Sequence, residues 1–179
     1  RPELTFPPAE SRLLREAYAM ARVILEYGSG GSTVIAAAEK GRQVFTVESD
    51  RDWAGRMADW FRRNPPAGKA AIHYVDIGPT RDWGMPESER FFRRWPSYPL
   101  SVWDREDFAQ PDLVLIDGRF RPACFLATMF RTKTPVTVLW DDYRDRPEYH
   151  VVEEFRAPTR MIGRMAVFDV APTAVPADR

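Results

Sequence analysis

The chain has 179 residues, of which 44% are hydrophobic and 29% charged, the balance of one soluble domain with a buried core rather than of a disordered chain. Its 26 basic and 26 acidic residues cancel, so it lacks the basic excess that grips a nucleic-acid backbone, and no polyanionic partner is indicated. A single cysteine, Cys124, excludes an internal disulfide and suits a reducing, cytoplasmic setting; no apolar run approaches the ~20 residues of a membrane span, and residues 1–8 do not read as a signal peptide.

Leu13, Leu14, Ala17, Met20 and Ala21 recur at helical spacing, which predicts an amphipathic leading helix over 9–21. An apolar strand over 22–27 then meets Gly28-Ser29-Gly30-Gly31, and Ser32-Thr33 are candidate caps for a helix over 34–40 that Gly41 stops. A strand over 44–47 ends in Glu48, a helix over 51–63 stops at Asn64-Pro65-Pro66, and a strand over 71–75 ends at Asp76. Residues 77–97 break the rhythm with Gly78, Pro79, Gly84, Pro86 and Pro96, interleaved with Trp83, Phe91, Phe92 and Trp95. Irregular stretches this long are uncommon unless they serve a function, so 77–110, with a short helix over 98–108, is a candidate lid or substrate segment.

A strand over 113–116 ends at Asp117-Gly118, a helix covers 123–131, and a strand over 136–140 precedes Asp141-Asp142-Tyr143. Pro147 opens a helix over 147–155, residues 160–162 and 166–170 form a closing strand pair around Gly163, and the tail 171–179 is expected to be disordered. This alternation predicts a single α/β domain over 1–179: a three-layer sandwich with a mainly parallel sheet of about seven strands and helices on both faces.

In an open parallel sheet, ligands sit beyond the carboxyl ends of the strands, where strand order reverses. The run Glu26-Tyr27-Gly28-Ser29-Gly30-Gly31-Ser32-Thr33 falls at the end of the first strand. Its glycines permit a sharp turn and close ligand approach, and the helix behind it offers free amide donors. Glu48, 20 residues after Gly28, ends the next strand, where a carboxylate can accept both hydroxyls of a ribose. The dinucleotide fingerprint G-x-G-x-x-G is met at Gly28 and Gly30 and fails at Thr33. A second cofactor reading needs an acid two residues before the first glycine, and Glu26 supplies it. Singly, Glu26, Glu48, Asp76 and Asp117 are as well explained as polar strand ends, but all four mark successive strand ends on one rim.

On these residues the chain resembles the class I S-adenosylmethionine-dependent methyltransferases, whose first motif is roughly acid-x-Gly-x-Gly-x-Gly. Glu26, Gly28 and Gly30 match, and Ser32 stands in place of the third glycine. The strand–helix order is similar over nearly the whole chain, the closing strand pair included. The resemblance implies S-adenosyl-L-methionine as cofactor, with Glu26, Tyr27, Gly28, Ser29, Gly30, Ser32 and Thr33 around its methionine part. It implies Glu48 and Ser49 at the ribose, Asp76 and Ile77 beside the adenine, and Asp117 facing the transferred methyl.

Methyl transfer from a sulfonium needs chiefly alignment, and an oxygen or nitrogen acceptor also needs its proton removed. Asp117 and Asp141, each closing an apolar strand, are the catalytic candidates; with Asp142 they make a candidate oxygen-ligand set for Mg²⁺, which would acidify an acceptor hydroxyl. This arrangement resembles the small metal-dependent catechol-type O-methyltransferases, which carry an Asp after the fourth strand and an Asp-Asn pair after the fifth. Asp142 departs from that pair, and Gly118-Arg119-Phe120-Arg121 departs from its flanks. The bland alternative is that Asp141 and Asp142 cap a turn while Asp117 pairs with Arg119 or Arg121. Those two arginines are also candidates for holding an anionic acceptor.

Trp53 either packs or flanks the adenosine, and Tyr143 either packs or meets substrate. His73 and His150 lack metal-ligand spacing, and Cys124 reads as a buried small side chain. The leading expectation is methyl transfer to an oxygen or nitrogen of a small-molecule or sugar acceptor, the glycine loop and residues 44–48 being loosely similar to sugar methyltransferases of bacteria and plants. An NAD-dependent oxidoreductase and a non-catalytic cofactor-binding domain stand as alternatives, and oligomeric state has no signature in the sequence.

Overall fold

The computed structural model describes residues 2–176. In chain order the strands are β1 (Val23–Tyr27), β2 (Gln43–Glu48), β3 (Lys69–Tyr74), a small hairpin of β4 (Thr80–Arg81) and β5 (Met85–Pro86), then β6 (Leu113–Ile116), β7 (Val136–Trp140), β8 (Arg160–Ile162) and β9 (Met165–Val170). The α-helices are α1 (Pro8–Met20), α2 (Gly31–Ala36), α3 (Arg51–Arg63), α4 (Ser97–Leu100) and α5 (Arg121–Arg131). Seven strands form one sheet in the order β3-β2-β1-β6-β7-β9-β8. All pairings are parallel except those of β9, which runs antiparallel to both β7 and β8.

The central strands read as unbroken apolar runs because both their faces are covered. Successive side chains alternate between the two faces. Leu25, Phe45, Val114 and Ile116 join Phe125 and Trp140 in one core layer. Their neighbours Ile24, Val44 and Leu115 join Leu14 and Tyr18 of α1 in the other. Asp50 caps α3 by accepting the Trp53 amide at 2.9 Å, and Arg62 and Arg63 close its last turn, where the helix dipole favours cations.

Several expected elements have different bounds. Strand β3 begins at Lys69 rather than at 71, because the edge strand is partly exposed and needs no apolar side chain to join the ladder at Gln43. Helix α2 starts at Gly31 and ends at Ala36, and residues 147–154 wind as a 3-10 helix, where the adjacent Val151 and Val152 disfavour an α-helix. The helix expected over 98–108 shrinks to α4 and a 3-10 turn over Ser101–Asp104, with Pro99 buried in its middle. Of the expected tail, 171–176 carry no helix or strand, and 177–179 lie outside the described residues.

The irregular segment divides in two. Tyr98 and Val102 are buried in the core, so residues 97–104 belong to the body of the domain. Residues 80–94 stay at the rim as the β4–β5 hairpin and a 3-10 helix over Glu89–Arg94. Trp83, at the hairpin tip, is 86% exposed and adopts φ +64°, an unusual conformation for a bulky residue.

Candidate cofactor and acceptor site

Strand order reverses between β1 and β6, which places a crevice at the carboxyl ends of β2, β1 and β6. After β1, Gly28 turns with φ +102°, a left-handed conformation that favours glycine. A Cβ there would lie 3.0 Å from the Gly118 amide nitrogen, so the turns after β1 and β6 meet backbone to backbone. Gly118 is held as tightly: its Cβ would lie 2.2 Å from the Tyr98 hydroxyl and 2.8 Å from the Gly28 nitrogen.

Glu48 borders the crevice on the β2 side. Its Oε2 accepts the Ser29 amide at 3.3 Å and hydroxyl at 2.8 Å, and its Oε1 accepts the amides of Ser49 at 2.8 Å and Asp50 at 3.0 Å. Burial raises its pKa above the ordinary carboxylate value, and these hydrogen bonds oppose the rise. The Trp53 indole N–H donates to the Ser29 carbonyl at 2.9 Å, so the glycine loop is tied to both β2 and α3. Ser49 is buried and donates its hydroxyl to the Gly84 carbonyl of the hairpin at 3.0 Å.

Glu26, expected beside the methionine part of a cofactor, lies beneath the loop with no exposed surface. Its two oxygens accept the hydroxyls of Tyr18 and Thr33, and Thr33 Oγ1 accepts the Gly30 amide at 3.0 Å. Burial pushes the Glu26 carboxyl up to about 7. Ser32 and Thr33 are buried with it. Tyr27, also expected in the site, points its ring into the core, donating to the Pro99 carbonyl at 2.7 Å and accepting from Trp103 at 2.8 Å. It reaches the crevice only through its backbone, because residues alternate across a strand and Glu26 and Tyr27 take opposite core layers. Ile77 is likewise buried in the core, whereas Asp76 is exposed past β3 and accepts Arg94 Nη1 at 2.7 Å.

The other side of the crevice is acidic and basic at once. Asp117, Asp141 and Asp142 bring carboxylate oxygens within 4.8 Å of one another. Each faces a guanidinium. Arg164, in the turn between β8 and β9, forks onto Asp141 at 2.7 and 3.0 Å and reaches Asp142 at 3.1 Å. Arg121 lies 3.1 Å from Asp117 and 3.6 Å from Asp142, and Arg146 lies 3.6 Å from Asp142. Three carboxylates are thus balanced by three arginines. As packed, the cluster does not fit Mg²⁺, whose oxygen ligands at about 2.1 Å would require the arginines to leave.

Asp117 keeps about a third of its side-chain surface open, 35%, while protein crowds the rest. Burial raises its carboxyl to about 7; Arg121 opposes the rise, and Asp141 and Asp142 add to it. Tyr143, by contrast, is buried among Trp140 and Phe168, with its hydroxyl on Glu153. His150 stacks on Tyr143, His73 bonds Ser101 and Arg105, and Cys124 is buried.

Sequence reasoning missed Tyr18, Tyr98, Gly118, Arg146 and Arg164. Only Gly118, directly after Asp117, carried a visible signal. It also missed that residues 3 and 4 cross the start of α2, where a Cβ on Gly31 would lie 2.2 Å from the Glu3 backbone.

The fold is shared with solved structures. A methyltransferase-like protein of Silicibacter pomeroyi is 55% identical over 99% of this chain and 93% of its own, with a TM-score of 0.95. More distant is an O-methyltransferase of Streptomyces achromogenes in complex with S-adenosylmethionine, 18% identical over 95% of this chain and 82% of its own, TM-score 0.62. An RNA methyltransferase of Salinibacter ruber in complex with S-adenosyl-L-homocysteine is 17% identical over 98% of both chains, TM-score 0.52. No protein-family model matches the chain, and no curated protein matches it. The chain belongs to the class I, Rossmann-like S-adenosylmethionine-dependent methyltransferase family. No helix among its described residues is long and apolar enough to cross a membrane.

Proposed function

We propose that this protein transfers a methyl group from S-adenosylmethionine to an oxygen or nitrogen of a small-molecule acceptor, sugars included. The observation that carries the reading is the pairing of Ser29, in the glycine loop, with Glu48, at the end of β2, across the switch point of the sheet. The two cofactor complexes of the same fold support it. The cofactor, when bound, supplies an electrophilic methyl on a sulfonium leaving group.

The chain's own residues align and deprotonate. Glu48 exchanges its Ser29 hydroxyl partner for ribose hydroxyls while keeping the amides of Ser49 and Asp50. Gly28 and Gly30 let the backbone approach the amino-acid end. Asp76 and Ile77 flank the adenine, one from solvent and one from the core. Glu26, Thr33 and Tyr18 act from below by fixing the loop, and α2, six residues long with Gly30 N–H already taken by Thr33, leaves few free amides. Asp117 takes the acceptor proton: a base with a pKa of about 7 is half ionised near neutrality and retains driving force for proton transfer. Asp141 is buried and forked by Arg164, so its part is to raise the Asp117 pKa rather than to touch the acceptor.

The test is titration calorimetry of the purified protein with S-adenosylhomocysteine, with NAD as control. Binding of the homocysteine compound alone supports the reading; a response to NAD alone moves it to the oxidoreductase, against which Thr33 at the third fingerprint position already counts.

A further inference from the structure

Two arginines follow Asp117, and the structure treats them oppositely. Arg121 is buried and saturated, with Nε on the Gly118 carbonyl at 3.0 Å, Nη1 on the Asp141 carbonyl at 2.6 Å and Nη2 on the Asp117 carbonyl at 3.1 Å. Arg119 is half-buried, and its Nε is enclosed with no acceptor. Its Nη1 meets only the thioether of Met85, a weak acceptor. Among the described residues no carboxylate lies within salt-bridge distance of it, since Arg121, Arg146 and Arg164 take the three acids nearby.

A guanidinium is always charged and presents a rigid fork of five N–H donors. Holding one half-buried without an acceptor is unfavourable unless an anion completes it. Its place is specific. Gly84 touches Ser49 past β2, and the next residue, Met85, touches Arg119 past β6, so the hairpin bridges the strand ends that flank β1. Arg119 therefore lies where the hairpin meets the acceptor side of the crevice. It is two residues from Asp117, within about 7 Å along the chain.

We propose that Arg119 is the anion receptor of the acceptor site, and that the acceptor carries a carboxylate or phosphate close to the atom that is methylated. The oxyanion enters beneath the hairpin, displaces Met85 and takes the Nε and Nη donors as a pair. This rests on the methyltransferase reading for the word acceptor, but the anion site itself does not depend on it.

The experiment uses wild type, Arg119→Gln and Arg119→Lys, each with and without S-adenosylhomocysteine, titrated with benzoate and with inorganic phosphate by thermal shift and calorimetry. Unliganded melting temperatures establish that the variants fold. The expected result is stabilisation of wild type by either anion, about tenfold weaker anion binding in Arg119→Gln, and partial retention in Arg119→Lys, which keeps charge without the fork. Equal responses of wild type and Arg119→Gln, or no response of wild type to either anion, would overturn the proposal. A fourth arm compares S-adenosylhomocysteine with methylthioadenosine, which lacks the amino-acid end. If Arg119→Gln weakens only the former, Arg119 reads the cofactor's own carboxylate and the acceptor inference is wrong. If S-adenosylhomocysteine binds none of the proteins, the methyltransferase reading fails while the anion titrations still decide the role of Arg119.

Discussion

The two rims of the crevice are built on different terms. On the β1–β2 side both acids are already paired: Glu48 holds three amides and a hydroxyl, Glu26 holds two hydroxyls, and Trp53 and Ser49 tie the loop and the hairpin down. On the β6 side Asp117 is partly open with a raised pKa, and Arg119 is short of an acceptor. The contrast suits a protein whose cofactor half is preformed and whose acceptor half is completed by what it binds. Preformed donors and acceptors need little reorganisation when a ligand arrives, here the exchange of the Ser29 hydroxyl on Glu48, whereas an unsatisfied charge selects for the partner that satisfies it.

The largest expected effect comes from joining the two rims by force. Gly118→Val would drive a side chain into Tyr98 and the Gly28 backbone. A large drop in melting temperature together with lost S-adenosylhomocysteine binding is expected, and a variant with wild-type values would mean the two turns are not in contact. Asp117→Asn separates the rims more finely. Turnover should fall about a hundredfold or more while cofactor affinity is kept. In wild type, kcat/KM should rise as pH climbs through about 7, because the base works only once deprotonated and burial holds its proton on to that pH. A flat pH profile across that range would remove Asp117 as the base.

Glu48→Gln tests the opposite rim, with S-adenosylhomocysteine affinity expected to weaken by about tenfold, roughly 1.4 kcal/mol, and anion binding at Arg119 unchanged. Glu26→Gln gives a smaller effect, read in stability. The folded-state pKa of about 7 lies above the ordinary value of 4.5, so the unfolded chain loses this proton first as pH rises. Wild-type stability relative to the variant should therefore decline between pH about 4.5 and about 7 and be level on either side, as denaturant melts of both proteins would reveal. Smallest of all is the response to a chelator. With Arg121, Arg146 and Arg164 balancing the acid cluster, EDTA should leave turnover unchanged, and restoration of activity by Mg²⁺ after chelation would show that the arginines give way to an ion.

Much of this molecule was legible in its residues alone. The strands over 113–116 and 136–140 match their expected bounds because fully buried strands must be continuously apolar, and the glycine loop with Glu48 is visible because turn chemistry and strand ends are local. Local pattern determined the α/β class, the strand–helix order and the rim on which the acids gather. Tertiary structure decided where each of those acids faces and what it pairs with. Whether Glu26 faces the crevice or the core depends on Tyr18 of a helix packed on the opposite side of the sheet from Tyr98, and whether Asp141 sits beside a metal or an arginine depends on Arg164, 23 residues away in the chain. Burial, charge pairing and hydrogen-bond saturation are properties of neighbours in space, and spacing along the chain carries no record of them.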